Sequence, residues 1–320
     1  MLLLRAELRK CARPVVAGLL VLSALAAVVT ATYGQEFAHA QSEATTLSVG
    51  YDEMLSCDDI GERPGRRCYE LLARDRRSEA EENKRFVAET NRQASAAHAS
   101  QQPLGALGFT AGLFGSLFGL LLAFAIAAVH VGGEWRRGTA PLMFATEPRW
   151  GRVLAAKVAT TWLGCTLALG VAWLAAVLFG QLSQSIWPLG VPPDAHASLG
   201  FALERAVAAS GILLVFSLVA VVVAAWLRAP LPTLLTGIAI AAVLNALTPL
   251  EVLGAWTPGA VVSDLMQFAG TPVGYFDHIW ALPDPADAAP LAIRALAAGA
   301  LLVAGLAYAQ RALAPRDRIA

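Results

Sequence analysis

Lysine, histidine and cysteine are the residues of this chain on which nucleotide, metal or nucleophilic chemistry would most directly depend. The three lysines, Lys10, Lys84 and Lys157, are followed by Cys, Arg and Val, so no phosphate-binding G-x-x-x-x-G-K-[ST] loop is present. The sequence also lacks H-E-x-x-H, C-x-x-C and G-x-S-x-G patterns, and its five histidines are scattered. We therefore expect no catalysis, no metal site and no bound cofactor in this chain.

Two of the four cysteines, Cys57 and Cys68, bound a short segment that contains Gly61, Pro64 and Gly65. Glycine and proline favour a tight reversal, and thiols outside a bacterial membrane can oxidise. We therefore expect a disulfide between the two cysteines, contributing about 3 kcal/mol for so short a loop. Two free thiols remain the alternative, and a metal is not expected because no histidine lies between them.

A further pattern concerns packing and consists of glycines within "GFTAGLFGSLFG". Their spacing alternates between four and three residues, which stacks them on one face of a helix and lets another backbone approach closely. The partner is either another helix of this chain or a second subunit. The four positions are Gly108, Gly112, Gly115 and Gly119.

Most of the sequence around these residues consists of long hydrophobic segments. Of 320 residues, 57% are hydrophobic and 15% charged, against about 25% charged in ordinary globular chains. A helix needs about 20 residues to cross a hydrocarbon layer of about 30 Å. Runs that reach or approach this length predict an all-α polytopic membrane protein with six transmembrane helices, and no nucleic-acid partner is indicated. The runs are 15–33, 104–130, 158–182, 206–227, 233–249 and 291–310.

The orientation of these helices follows from the basic residues of the short loops, which concentrate on the cytoplasmic side. Residues 1–14, the 131–157 segment, the 228 position and the chain end are rich in arginine and lysine. The segments 183–205 and 250–290 together hold one basic residue and seven acidic ones. We predict a multi-pass protein of the inner or plasma membrane with both termini cytoplasmic.

The segment 34–103 is predicted to lie outside the membrane as a loop domain between the first two helices. It holds nine basic and thirteen acidic residues, and long segments translocate largely regardless of charge. Residues 69–93 lack Gly and Pro and predict a helix with a solvated charged face. The first run also resembles a signal peptide cleaved after Ala40, although its length favours a retained helix.

The 131–157 segment is charged although it lies between two apolar runs. Thr139 can cap a first short helix, and Pro148 can open a second at its first position. On that second helix Val153 and Leu154 share an apolar face, whereas Arg152 lies on a basic one. The pattern predicts an amphipathic helical hairpin in the cytoplasm, which is either a docking element or an interfacial connector.

Three motifs along the chain resemble type-2 ABC transporter permeases. The spacing Glu134-x-x-x-Gly138-Thr139, then Pro148-Arg149, then Lys157 at the start of the next membrane helix is similar to their cytoplasmic loop. The segment "LRAELRKCARP" resembles the interfacial helix before their first span, and "AWTPGAVVSDLM" resembles a segment of their last outer loop. The resemblance covers most of the chain except 34–103, which is a long insertion for such a permease.

This resemblance implies a permease subunit of an ABC exporter, organised as 1–33 (interfacial helix and first span), 34–103 (extracytoplasmic domain) and 104–320 (permease core). A separate cytoplasmic ABC ATPase, carrying the ATP and Mg, would dock on the hairpin, and a second permease copy or a paralogue would complete the pathway. Glu134 would relay movement at the junction of helix and hairpin; an ordinary solvated acid is the alternative. The implied interface residues are Glu134, Arg137, Gly138, Thr139, Leu142, Pro148, Arg149 and Lys157.

Two other classes of function remain open. One is a membrane-anchored sensor or scaffold that acts through the 34–103 domain and needs no ATPase. The other is an ion- or proton-driven transporter, which normally carries ionisable residues at membrane depth. The sequence places none near a helix centre.

Overall fold

The computed structural model describes residues 16–29, 31–32, 80–88, 102–140, 150–186 and 199–247. Within these ranges every regular element is a helix and there is no strand, which confirms the all-α prediction for this part of the chain. In chain order the elements are α1 (Val16–Val29), α2 (80–88), α3 (Pro103–Gly115), α4 (Leu117–Ala127), a π-helical segment (Ala128–Gly132), α5 (Gly133–Arg136), α6 (Trp150–Ile186), α7 (Leu199–Leu227) and α8 (Pro230–Leu247).

Three stretches of helix are long and apolar enough to cross a membrane, namely Leu117–Arg136, Gly151–Ile186 and Ala202–Leu227. Val16–Val29, Pro103–Gly115 and Pro230–Leu244 are shorter apolar helices. The described part therefore contains helices in five of the six predicted runs. The sixth run, the segment before α1 and the two cysteines of the expected disulfide lie outside the described residues. Helix α2 lies within the helix predicted over 69–93.

The second predicted span is interrupted at Ser116, where the backbone is extended, with φ −87° and ψ −170°. The serine hydroxyl donates to the Leu113 carbonyl (2.5 Å) and accepts from the Phe118 N–H (3.2 Å). A serine side chain can replace backbone helix hydrogen bonds in this way, so α3 ends and α4 begins at this residue. The expectation of one continuous helix over 104–130 is wrong for this reason.

The break also divides the predicted glycine stripe. Gly108, Gly112 and Gly115 are buried in α3, whereas Gly119 lies in α4, beyond Ser116. The four glycines therefore do not share one uninterrupted helix. A Cβ at Gly119 would collide with the Phe114 carbonyl oxygen, so close backbone approach across the break requires glycine there.

Helix α6 also differs from the prediction. The expected short helix of the hairpin and the following span form one continuous helix of 37 residues, because no proline interrupts the sequence between Trp150 and Ile186. Its first turns keep the predicted amphipathic pattern: Val153 and Leu154 are buried and Arg152 is exposed.

The core forms where α7 contacts α3, α4, α6 and α8. Small side chains on α7 permit this close packing, since Ala209, Ala220 and Ala224 are fully buried. On α8, a Cβ at Gly237 would lie 2.5 Å from Cγ of the buried Phe124 of α4. The leucines on the opposite side of α6 are exposed, as expected for a surface that faces lipid; they are Leu163, Leu167, Leu174, Leu178 and Leu182.

Candidate functional site at the helix elbow

The candidate site is the elbow, defined here as residues 128–136, which comprises the π-helical segment and α5. A π-helical turn carries wider i→i+5 bonds than an α-helix and often marks a functional position. The elbow ends where the Arg137 side chain donates from Nε to the Gly133 carbonyl (3.0 Å) and Gly138 adopts φ +71°. Glycine is the residue that adopts this left-handed backbone readily, so the chain leaves the helix at Gly138.

The centre of the site is an ion pair between the elbow and α6. Lys157 Nζ donates to Glu134 Oε2 over 2.5 Å, and each side chain is only 4% exposed. Two charges removed from water are tolerated when they neutralise each other, whereas either one alone would be costly. The pair therefore fixes the elbow to the first turns of α6, and Glu134 is not the solvated acid of the alternative interpretation.

A second polar contact lies one helical turn before Glu134 in the elbow and one turn after Lys157 in α6. The Thr160 hydroxyl donates to the Lys157 carbonyl (3.0 Å) and lies 3.3 Å from His130 Nε2. Because the hydroxyl has one proton, both contacts are satisfied when Nε2 carries a hydrogen and donates to Thr160. His130 and Thr160 are buried. The ion pair and this contact form a polar ladder between the elbow and α6.

The opposite side of the elbow contacts the turn between α7 and α8. A Cβ at Gly132 would lie 2.9 Å from the Pro230 nitrogen, so only glycine allows this approach. The Arg228 guanidinium carbon lies 4.7 Å from the centroid of the Trp135 ring, within the range of a cation–π interaction. The elbow is consequently held from two sides by three helices.

The structure brings together only part of the predicted interface. Glu134 and Lys157 are in contact, and Thr139 lies nearby, where its hydroxyl donates to the Glu134 carbonyl (3.3 Å). Arg137 and Gly138 are exposed at the end of the elbow. Leu142, Pro148 and Arg149 lie outside the described residues.

Sequence reasoning missed several residues of the site. His130 precedes Glu134 by four residues, and Thr160 follows Lys157 by three, so each lies one helical turn from a residue that the sequence predicts for the site. That spacing was the available signal. The contact of Arg228 with Trp135 had no signal, because it joins positions far apart in the chain.

The chemistry available to this arrangement is electrostatic and mechanical. Among the residues that the structure describes, no group of three His, Cys, Asp or Glu side chains is placed to hold a metal ion. The buried carboxylate of Glu134 is paired with the ammonium group of Lys157. A movement of the chain after Gly138 can therefore be transmitted through the elbow to α6, α7 and α8.

The fold and the site together define a helical protein with apolar helices compatible with a membrane and a buried polar junction at one end of the bundle. Comparison with models of protein families, with characterised proteins and with solved structures gave no significant match.

Proposed function

We propose that this chain is the membrane-spanning permease subunit of an ABC exporter, with ATP hydrolysed on Mg by a separate cytoplasmic ATPase. The observation that carries the proposal is the buried ion pair between Glu134 and Lys157. Both residues belong to the motif that resembles the cytoplasmic loop of type-2 permeases, and the pair joins the two ends of that loop. A force applied to the segment between them reaches two membrane helices directly.

The elbow supports a coupling role because it has contacts on several sides. Displacement of the residues after Gly138 acts on α6 through Lys157 and on the α7–α8 turn through Gly132 and Trp135. A π-helical turn can change to α-helical geometry with a shift of one residue. ATP-driven closure of the partner would use this junction to move the helices relative to one another.

The proposal includes six spans with both termini in the cytoplasm and a second permease subunit. Single cysteines introduced near positions 190 and 270 should react with a membrane-impermeant maleimide in intact cells. Cysteines near 140 and 318 should react only after the membrane is opened. Labelling near 140 in intact cells would contradict this topology.

The functional test is co-expression with candidate cytoplasmic ABC ATPases from the same genome, followed by purification of any complex and reconstitution into liposomes. We expect ATP hydrolysis to depend on both chains. Because Glu134→Gln alone leaves the buried Lys157 uncompensated, the transport test uses the double variant Glu134→Gln/Lys157→Met, which should leave the ATPase bound and reduce coupled transport strongly. Glu204→Gln, the same change at an exposed carboxylate of α7 outside the hairpin, should leave transport unchanged and serves as the matched control.

Failure to co-purify any ATPase, in cells where the chain is stably inserted, would refute the permease proposal. The polar ladder favours a second candidate, a proton-driven transporter, because His130, Glu134 and Lys157 are all buried within helices. Transport that continues without ATP and stops when the proton gradient is collapsed would select that candidate. A sensor or scaffold would show neither dependence.

A further inference from the structure

The turn between α7 and α8 presents an arginine in a fixed position. The link consists of Arg228 and Ala229 alone, and Arg228 has φ 55°, a left-handed conformation that a non-glycine residue adopts rarely. The Arg228 N–H donates to the Ala224 carbonyl (3.0 Å), and the Thr233 hydroxyl donates to the Ala229 carbonyl (2.7 Å). The backbone at both ends of the turn is therefore closed by hydrogen bonds, which fixes the origin of the Arg228 side chain.

The guanidinium group of Arg228 is also held in position. Its carbon lies 4.7 Å from the Trp135 ring centroid, yet Arg228 remains exposed. Stacking occupies one face of the planar group and leaves its N–H edges available to a bidentate anion such as a phosphate. Among the described residues, no carboxylate pairs with this arginine.

A second arginine lies on the same side of the elbow. Gly132 abuts Pro230, and Arg136 follows Gly132 by four residues, so Arg136 occupies the face of the elbow that is turned toward the α7–α8 link. Arg136 is exposed. By this helical spacing the two arginines share one surface, whereas Glu134, the acid of the elbow, is buried in its pair with Lys157.

The surroundings of these arginines are apolar and exposed. Trp226, two residues before Arg228, is 74% exposed, and Leu231, three residues after it, is 65% exposed. Tryptophan is enriched where a span meets the headgroup layer, and Arg228 directly follows the apolar stretch Ala202–Leu227. Basic residues at this level attract anionic lipids.

From this placement we propose that Arg228 and Arg136 form a binding site for the phosphate of an anionic phospholipid, with Trp226 packed against the upper part of its acyl chains. An acidic protein surface is the less suitable occupant, because Trp226 and Leu231 flank the arginines at the level where a span ends. The proposal is independent of any ATPase and requires only that α7 crosses the membrane.

The test uses the full chain in mixed micelles, titrated with phosphatidylglycerol or phosphatidylcholine brominated high on the acyl chain. Bromine quenches tryptophan fluorescence at contact, and the part of the quenching that is absent in Trp226→Phe reports this site. We expect the phosphatidylglycerol to reach half-maximal quenching at a clearly lower mole fraction. Arg228→Gln should raise that mole fraction about fivefold, which corresponds to the attraction of one basic residue near an anionic membrane surface.

Two further variants keep the test decisive. Arg136→Gln should weaken the preference for phosphatidylglycerol similarly, and it serves as the second variant if the strained turn does not tolerate substitution at Arg228. Arg152→Gln removes an exposed arginine of α6 and should leave the preference unchanged. Equal quenching by both lipids in the unmodified chain would overturn the proposal.

Competition separates the other occupants from a lipid. Inorganic phosphate at moderate concentration should not relieve the quenching; if it does so fully, the site binds free phosphate and the lipid proposal fails. If Arg228→Gln keeps the lipid preference but loses a co-purifying protein, the surface is a protein contact and the proposal is again overturned.

Discussion

The buried ion pair at the elbow allows a quantitative test by substitution of either partner. Glu134→Gln removes the negative charge with little change in volume, and Lys157→Met removes the positive charge while it keeps an unbranched apolar side chain. Each single variant leaves one uncompensated charge in an environment where both side chains are 4% exposed. The double variant removes both charges together.

The expected magnitudes follow from this burial. Breaking a buried pair by removing one partner costs about 3–5 kcal/mol of unfolding free energy, whereas replacing both partners with neutral residues is often close to neutral. An exposed pair would contribute only about 0–1 kcal/mol. We therefore expect each single variant to be strongly destabilised and the double variant to recover most of the loss, with a coupling energy above about 3 kcal/mol.

The assay is unfolding in mixed micelles by increasing SDS, followed by circular dichroism, with all variants measured in parallel. Arg137→Gln is the matched control, since this arginine lies three residues from Glu134 and is exposed; its loss should change the unfolding free energy by less than about 1 kcal/mol. Two single variants that each cost less than 1 kcal/mol would refute the reasoning. A double variant destabilised by the sum of the singles would also refute it.

The remaining predictions concern helix packing and the two cysteines of the 34–103 segment. Gly237→Ala should lower the free energy of unfolding by about 1–3 kcal/mol, because its Cβ would lie 2.5 Å from Phe124 Cγ. Gly170→Ala, with open space around the new Cβ, should raise it by about 0.5–1 kcal/mol. Thermal unfolding of both variants in detergent checks these opposite signs. Mass spectrometry without reduction should find the peptides of Cys57 and Cys68 linked, and recovery of both as alkylated thiols from unreduced protein would exclude the disulfide.

The sequence predicted the helices because apolar runs of sufficient length leave little alternative, and it predicted the buried face of early α6 because Val153 and Leu154 follow helical spacing. It did not predict the break at Ser116, since serine is common within membrane helices and interrupts one only when its hydroxyl finds local carbonyl and amide partners. That outcome depends on the packing of the surrounding helices rather than on the residue alone.

Two members of the candidate site, Glu134 and Lys157, could be predicted from the sequence, but its geometry and its other residues could not. Their motif identifies both residues, yet their pairing across 23 residues depends on the placement of the elbow against α6. From the sequence Arg228 is only a basic loop residue, because a left-handed backbone is usually signalled by Gly or Asn and not by arginine. Its stacking on Trp135 required the three-dimensional arrangement.

The continuity of α6 gives the two helical arms on either side of the 131–157 segment different mechanical properties: one arm is α6, and the other runs from α3 through α4 to the elbow. A straight helix of 37 residues is about 55 Å long, so α6 is a stiff rod that extends past a hydrocarbon layer of about 30 Å. The other arm, by contrast, has two joints, one at Ser116 and one at the π-helical segment. If α6 tilts about a point within the membrane, its Lys157 end and its Ile186 end move in opposite directions. The other arm can instead bend at its two joints and leave its far end in place. Such a pair would act as a lever beside a hinge, and the largest displacement is expected at the end of α6 remote from the elbow.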